Sequence, residues 1–375
     1  MKPCRAQRVP ALPATHDPPR TAVRCRDLGE LRPRGGQLGR SLRYVPARKC
    51  GGGTDKHGGT IRAVADDEHT ATRIEWDHLP LPVQTAIEQR VGAAVRSAEN
   101  QRGGFSHGMA ARLEFVDSTT LFVKALPSDD VLAPMYRTEA ETSARLPPTV
   151  PAPRLRFTAQ VGGWFVAAFE NIAGRHPRLD QPTELAATLS ALERMAQVLT
   201  PSPLENVPTI ADAYGSEFMC WRKFAEHGPP PDLDRWCMEH LDRLAQLESQ
   251  WCEPAAGHTL LHTDIRPDNL LLTDVGTVVV VDWAWPCVGA SWVELASMAP
   301  SIAVCGVNPD PILAEHPATR GTEPAAISAF ICALLGYWTR NSREPPPPRS
   351  PNLRRYQART ARVTREWLRN RIGWG

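Results

Sequence analysis

The spacing of apolar and polar positions changes near Gly174. Before it, alternation dominates. Ala111–Val116 and Leu121–Leu126 read as a hairpin across Asp117–Thr120, and Leu155–Ala159 with Trp164–Phe169 as a second over Gly162-Gly163. Two helices accompany these strands: Leu81–Arg96, with Pro82 in its first turn, and Asp129–Leu146, stopped by Pro147-Pro148. Beyond Gly174 the spacing is helical over Pro182–Leu199 and over Asp232–Trp251, the latter with Asp232 as N-cap. It is helical again over Ser291–Met298, Pro324–Thr339 and Leu353–Arg371. One short hairpin, Leu270–Leu272 with Thr277–Val281, interrupts the helices over Asp274-Val275-Gly276. The pattern predicts an α+β chain with a small β-rich N-lobe, mostly antiparallel, over residues 71–170, and a larger, mostly helical C-lobe over residues 171–375.

Composition changes this picture mainly at the N-terminus. Residues 1–70 are rich in Arg, Pro and Gly and carry no periodicity, so they read as a disordered basic extension, or as sequence ahead of a start site that is not used. Residues 1–65 hold 14 Lys and Arg against 4 Asp and Glu, which leaves the rest of a chain of net charge +2 with a balance of −8. The basic excess lies in the part without a burial pattern, so nucleic-acid binding is not expected. Gly51-Gly52-Gly53 has no Gly-Lys-Ser/Thr after it and is not a phosphate-binding P-loop. The 9 cysteines form no Cys-x-x-Cys pair, which argues against zinc and thioredoxin-type chemistry and fits reduced thiols. No run of 18 apolar residues occurs, and Met1–Arg20 lacks the apolar centre of a signal peptide, so a cytoplasmic protein without a membrane span is expected. No obligate protein partner is evident.

The chemistry concentrates in His262-Thr263-Asp264-Ile265-Arg266-Pro267-Asp268-Asn269, ahead of an apolar strand, with Asp282 closing the next strand. Phosphoryl transfer needs a carboxylate that orients an acceptor hydroxyl and takes its proton. It also needs oxygen ligands for magnesium, which an amide and a carboxylate on neighbouring strand ends supply. The hairpin brings Asn269 and Asp282 to adjacent ends of paired strands, and Asp264 projects from the loop toward the same point. Any one of these residues alone would be an ordinary turn, cap or surface residue. Four at fixed spacing ahead of a hairpin favour the functional reading. Phe122-Val123-Lys124-Ala125 sets a lysine in an apolar strand, where a charge is costly unless paired. Gly103-Gly104-Phe105-Ser106-His107-Gly108 precedes the first strand pair and suits a loop whose backbone N–H groups cover phosphates.

The run from His262 to Asn269 resembles the catalytic loop of the kinase superfamily, and roughly residues 72–372 resemble the aminoglycoside phosphotransferase family, most closely over 255–300. The resemblance implies a protein-kinase-like two-lobed fold and transfer of the γ-phosphoryl group of ATP, or of GTP, to a hydroxyl of a small molecule. It implies that Asp264 is the catalytic base or acceptor-orienting residue, that Asn269 and Asp282 bind magnesium, and that His262 supports the loop. Arg266 stands where protein kinases carry a lysine near the transferred phosphoryl. Lys124 would contact the α and β phosphates and pair with Glu139, or failing that Glu141. Gly103, Gly104, Ser106 and Gly108 would lie over the phosphates. The hinge Phe169–Gly174 would offer the carbonyl of Glu170 and the N–H of Ile172 to the adenine ring. Asp282-Trp283-Ala284-Trp285 replaces the Asp-Phe-Gly of protein kinases and no Ala-Pro-Glu element follows, which favours a small-molecule kinase over a protein kinase. A cationic acceptor would suit the acidic body. Glu294 is a candidate for acceptor or structural contact. The competing reading is a non-catalytic nucleotide-binding pseudokinase or scaffold. Degraded kinases usually lose the base, a metal ligand or the strand lysine, and this chain keeps all three.

Overall fold

The computed structural model describes residues 71–374 apart from Arg102 and Pro348. The basic extension expected over residues 1–70 lies outside them. A 3-10 turn at Trp76–His78 leads into α1 (Leu81–Val91), whose Pro82 sits in the first turn and whose C-cap Gly92 is left-handed at φ 84°. The expected helix to Arg96 therefore ends five residues early: Gly92 stops it, and Val95 already begins a strand.

Five antiparallel strands follow: β1 (Val95–Asn100), β2 (Met109–Phe115), β3 (Thr120–Pro127), β4 (Leu155–Val161) and β5 (Trp164–Glu170), in the order β1-β2-β3-β5-β4. Both expected hairpins are present, with Leu121 opposite Leu113 and Val161 opposite Trp164. The strand β1 was not anticipated. Its sequence, Val-Arg-Ser-Ala-Glu-Asn, is polar because it lies exposed at a sheet edge. Alternation along the central β3 divides two small cores. Leu121, Val123 and Ala125 pack with α1 residues Val83 and Ile87, whereas Phe122 and Leu126 pack on the opposite face with Tyr136 and Ala140 of α2 (Ala133–Arg145). The helix α2 begins four residues later than expected from Asp129, because Asp130 turns the chain by accepting from the Leu132 N–H at 2.8 Å.

After Glu170 the chain is helical, as expected. The helices are α3 (Pro182–Val198), α4 (Ile210–Tyr214), α5 (Cys220–His227), α6 (Arg235–Glu239), α7 (Leu241–Glu248), α8 (Trp292–Val304), α9 (Asp310–Glu315), α10 (Pro324–Asn341) and α11 (Leu353–Ile372). The stretch expected as one helix from an Asp232 cap is two. Asp234, not Asp232, caps α6 by accepting from the Trp236 N–H at 3.0 Å, and the chain breaks at His240, whose backbone is non-helical at φ −115°, ψ 16°. Around α10, buried from Ala326 to Gly336, a single large core joins Trp221, Trp251, Phe330 and Leu334. Two short ladders lie on this body: β6 (Thr259–Leu261) with β9 (Cys287–Gly289), and the expected hairpin of β7 (Leu270–Leu272) with β8 (Val278–Val280). The architecture is α+β, a five-stranded antiparallel sheet followed by a helical body, in the arrangement of protein kinases. Among the described residues no helix is long and apolar enough to cross a membrane. The described cysteines are free thiols, and Cys220, Cys237 and Cys332 are buried on helices.

Candidate functional site: a cleft between sheet and helices

The sheet and the helical body enclose a cleft of about 1410 Å³, and every residue expected from the sequence to touch nucleotide, metal or the reacting group lines it except Gly108; the supporting His262 and the candidate Glu294 do not. Lys124 enters on the α2-facing side of β3. It is buried, and its Nζ lies 2.7 Å from both carboxylate oxygens of Glu139 and 3.0 Å from Oδ1 of Asp282. Burial favours the neutral amine, but the carboxylates of Asp282 and Glu139 outweigh it and hold Lys124 charged, well above its ordinary range. Glu139 reaches this point because Tyr136, Glu139, Ala140 and Ser143 share the buried face of α2. Glu141 is on the exposed side, which removes it as the partner.

The glycine-containing segment bridges β1 and β2 rather than merely preceding a strand pair. Arg73 holds it from below, donating to the Gly103 carbonyl at 2.6 Å and to Ser106 Oγ at 3.1 Å. Gly108 lies where a Cβ would come within 2.6 Å of Tyr136 Oη and 2.9 Å of the Ala125 carbonyl, so it underlies the segment without lining the cleft. Gly104 is left-handed at φ 84°. Phe105, at the tip, packs on Tyr356 of α11 with ring centroids 5.7 Å apart, lies under the Arg266 guanidinium at 5.1 Å, and accepts a hydrogen bond on its carbonyl from Ser350 Oγ.

Facing the sheet, the loop after β6 is built on buried scaffolding. His262 is fully buried, which lowers its pKa to about 4 and keeps it neutral. Its Nε2 donates to the Val281 carbonyl at 2.9 Å, its Nδ1 accepts from the Asp264 N–H at 3.2 Å, and its ring meets Trp283 edge-on at 4.9 Å. The expected support role of His262 thus has a geometry: it ties the loop to the end of the hairpin. Glu294 of α8 is a structural contact too. Its Oε1 accepts from the N–H groups of His262 and Thr263, while its buried Oε2 has no partner among the described residues. Burial pushes Glu294 up to about 7. Glu294→Ala should leave two loop N–H groups unsatisfied and destabilise the protein by about 1–3 kcal/mol. A lowered Tm by calorimetry would register this, and an unchanged Tm would count against it.

Thr263 and Asp282 both sit at left-handed φ, 66° and 69°. Such backbone is costly for residues other than glycine and recurs at functional sites. Asn269 donates from Nδ2 to the Asp264 carbonyl at 2.8 Å and to its Oδ2 at 2.9 Å, which leaves the Asn269 Oδ1 to other partners. Asp282 adjoins it, since the Val281 N–H donates to the Asn269 carbonyl at 2.9 Å. Burial raises Asp282, but Lys124 prevails and holds it below the usual carboxylate range. Burial likewise raises Asp264, and although Arg266 pulls it down, the neighbouring charges of Asp268 and Asp282 leave it at about 6. Arg266 lies at ion-pair distance from Asp264, 3.3 Å, and Asp268, 3.2 Å. The hinge 171–174 leaves β5 and then pairs with β7 through Arg175 and Leu272, so it is stitched to the β7–β8 hairpin. The Ile172 N–H makes no hydrogen bond among the described residues.

The model of the APH phosphotransferase enzyme family matches residues 104–330, from the glycine segment to α10. The chain belongs to this family. No curated protein matches the phosphotransferase. Its backbone is similar to that of an aminoglycoside phosphotransferase from Alicyclobacillus acidocaldarius, with TM-score 0.51 and 13% identity over 80% of this chain and 98% of that one. It is also similar to a thermostable mutant of APH(4)-Ia in ternary complex with AMP-PNP and hygromycin B, with TM-score 0.50 and 15% identity over 76% and 98% of the two chains. A third likeness is to LicA in complex with AMP, with TM-score 0.50 and 12% identity over 78% and 99%. At such identities these likenesses bear on the fold. They agree with the family assignment and with a kinase-like architecture.

Several cleft residues of the phosphotransferase were not singled out from the sequence. Arg73 precedes the first helix in a stretch without motif, and only the tertiary fold carries it under the glycine segment. Trp285, Tyr337, Trp338 and Tyr356 also line the cleft. The helical spacing of Tyr337, Trp338 and Tyr356 on α10 and α11 reads equally well as core, and it gives no sign of which rings face the cleft.

Proposed function

We propose that this phosphotransferase moves the γ-phosphoryl group of ATP to a hydroxyl of a small molecule, with residues 71–170 gripping the nucleotide and residues 171–375 supplying the catalytic loop and the acceptor side. One observation carries the reading: Lys124 bridges Glu139 of the sheet lobe and Asp282 of the hairpin in the same cleft where Asn269 holds Asp264. A degraded scaffold has no use for a buried cation held between two carboxylates.

Lys124 takes the α and β phosphates, and Glu139 fixes its ammonium there. The segment with Gly103, Gly104, Ser106 and Gly108 covers the phosphates, braced by Arg73. The Glu170 carbonyl and the Ile172 N–H receive the adenine edge. Magnesium fits the donors present, because Asn269 Oδ1 and the Asp282 carboxylate are hard oxygens on adjacent strand ends and the phosphates complete such a site. When bound, the ion neutralises charge on the phosphate oxygens. Asp264 accepts a hydrogen bond from the acceptor hydroxyl and takes its proton as the new O–P bond forms and the bond between the β-γ bridging oxygen and the γ-phosphorus breaks. The leaving ADP carries the released charge beside Lys124. Arg266, pinned between Asp264 and Asp268, positions the base and lies beside the transferred group.

Asp264 works only when ionised, so activity should rise with pH through a limb centred near pH 6, where its buried carboxyl titrates. The acceptor kcat/KM against pH checks this, and a flat profile between pH 5 and pH 8 would contradict it. The function itself is tested by ADP release from purified protein with magnesium and ATP across aminoglycosides, macrolides and amino alcohols. Magnesium-dependent phosphorylation of one class supports the reading. Nucleotide binding with neither turnover on any class nor magnesium-dependent ATP hydrolysis would make the protein a pseudokinase.

A further inference from the structure

The charge of the cleft is arranged differently from that of the whole chain. Its lining carboxylates are Glu99, Glu139, Glu170, Asp264, Asp268 and Asp282, all on the sheet lobe, the hinge or the catalytic loop and hairpin, and as many Lys and Arg side chains line it. The wall formed by α8, α10 and α11 contributes no acidic or basic side chain among the described residues. It presents Tyr337, Trp338 and Tyr356, with Leu334 and Leu353 beside them and Ser297 and Ser301 of α8 and the Gln357 amide of α11 as uncharged polar points. Trp285, just past the hairpin, adds a ring that is 47% exposed. The one carboxylate on these helices near the loop, Glu294, is spent on the His262 and Thr263 backbone. Tyr337 and Tyr356 stand close enough to Asp264 to feel its charge, so this wall flanks the reacting hydroxyl.

From this wall we infer that the acceptor is an uncharged, hydroxyl-bearing molecule with an extended apolar or ring face, rather than a polycation. The inference rests on the phosphotransferase reading and adds the substrate class to it. Ammonium groups laid on this wall would meet aromatic and aliphatic side chains and no carboxylate of the wall itself, so each would lose water without gaining an ion pair there. A neutral ring system leaves no charge to desolvate and gains apolar contact across Trp285, Tyr337 and Trp338. The two serines suit single hydroxyl or carbonyl groups. The acidic balance of the body, which would attract cations, is not carried into this wall. The cleft is also larger than a nucleotide site alone requires, since single ligand pockets run to about 300–1,000 Å³.

The test compares three acceptor series of similar size: amine-free hydroxylated macrolactones and polycyclic alcohols, polyammonium amino sugars, and quaternary-ammonium alcohols. Binding is measured by calorimetry with magnesium and AMP-PNP present, and turnover by ADP release and the mass of the phosphorylated product. The neutral series should bind at least tenfold more tightly and be turned over with the higher kcat/KM. Ser297→Asp with Ser301→Asp, which places carboxylates on the wall, should shift the preference at least tenfold toward the polyammonium series. Preference for either charged series, equal binding of all three, or an unchanged preference in the double variant would overturn the inference. Magnesium-dependent ATP hydrolysis without acceptor tests the phosphotransferase reading separately. If hydrolysis is present while polyammonium acceptors win, only the acceptor class is wrong.

Discussion

Asp264→Asn should lower kcat by roughly 10²–10⁴ while leaving the affinity for ATP nearly unchanged, the range found when a general base is removed. The substitution keeps the side chain's size. Asn269 can still donate to an amide oxygen where it now donates to Oδ2 at 2.9 Å, and Arg266 keeps Asp268 at 3.2 Å, so the loop should stay folded. Only the acceptor's proton sink is lost. The proposed nucleotide contacts, Lys124 with Glu139 and the magnesium donor Asp282, lie on other elements, so the loss should fall on the transition state and not on nucleotide binding. An effect near the lower end would fit a loose, metaphosphate-like transition state in which positioning outweighs early proton removal. Steady-state kinetics beside an ATP titration on both proteins decides the matter. Wild-type kcat with Asn in place would mean that Asp264 does not orient the acceptor. The acidic limb near pH 6 should vanish in the same variant.

Asp282→Ala should lower kcat by about 10²–10³-fold, by analogy with removal of a fixed electrostatic group at a transition state, and should change the magnesium dependence as well. Two functions reside in this side chain. It is one of two donors proposed for magnesium, and its Oδ1 lies 3.0 Å from Lys124 Nζ. Without it, the buried lysine keeps Glu139 alone, and its ammonium loses the first-ranked of the charges that offset its burial. The variant should need far more magnesium to reach half-maximal rate. Wild-type turnover at saturating magnesium would rule out the metal assignment. Lys124→Ala, which removes the phosphate contact and leaves Asn269 and Asp282 in place, should chiefly raise the KM for ATP.

The elements that positioned the site were legible because their patterns are local. The β2–β3 and β4–β5 hairpins follow from alternation and from Gly162-Gly163, α2 from its helical spacing, and the β7–β8 hairpin from apolar triplets around Asp274-Val275-Gly276. Lys124 stood out because a lysine in an apolar strand needs a partner, and Glu139 is that partner at 2.7 Å. What escaped has equally physical causes. The strand β1 is an exposed edge with a polar sequence, and β6 and β9 are three residues each, too short for alternation to register. The break at His240 leaves apolar residues at helical spacing on both sides. The cap shifted from Asp232 to Asp234 because two aspartates two residues apart offer the same signal. Arg73 and the aromatic wall are products of tertiary folding, and no local period marks them.

The Ser350 hydroxyl donates to the Phe105 carbonyl, the Tyr356 ring packs on Phe105, and the Thr72 N–H donates to the Arg349 carbonyl at 3.0 Å. These contacts join the segment ahead of the first helix, the tip of the glycine segment and the stretch that leads into the final helix. Under the proposed function, in which this tip covers the phosphates, a tag or truncation at the last helix, far along the chain from the chemistry, should register as a changed rate of ADP release.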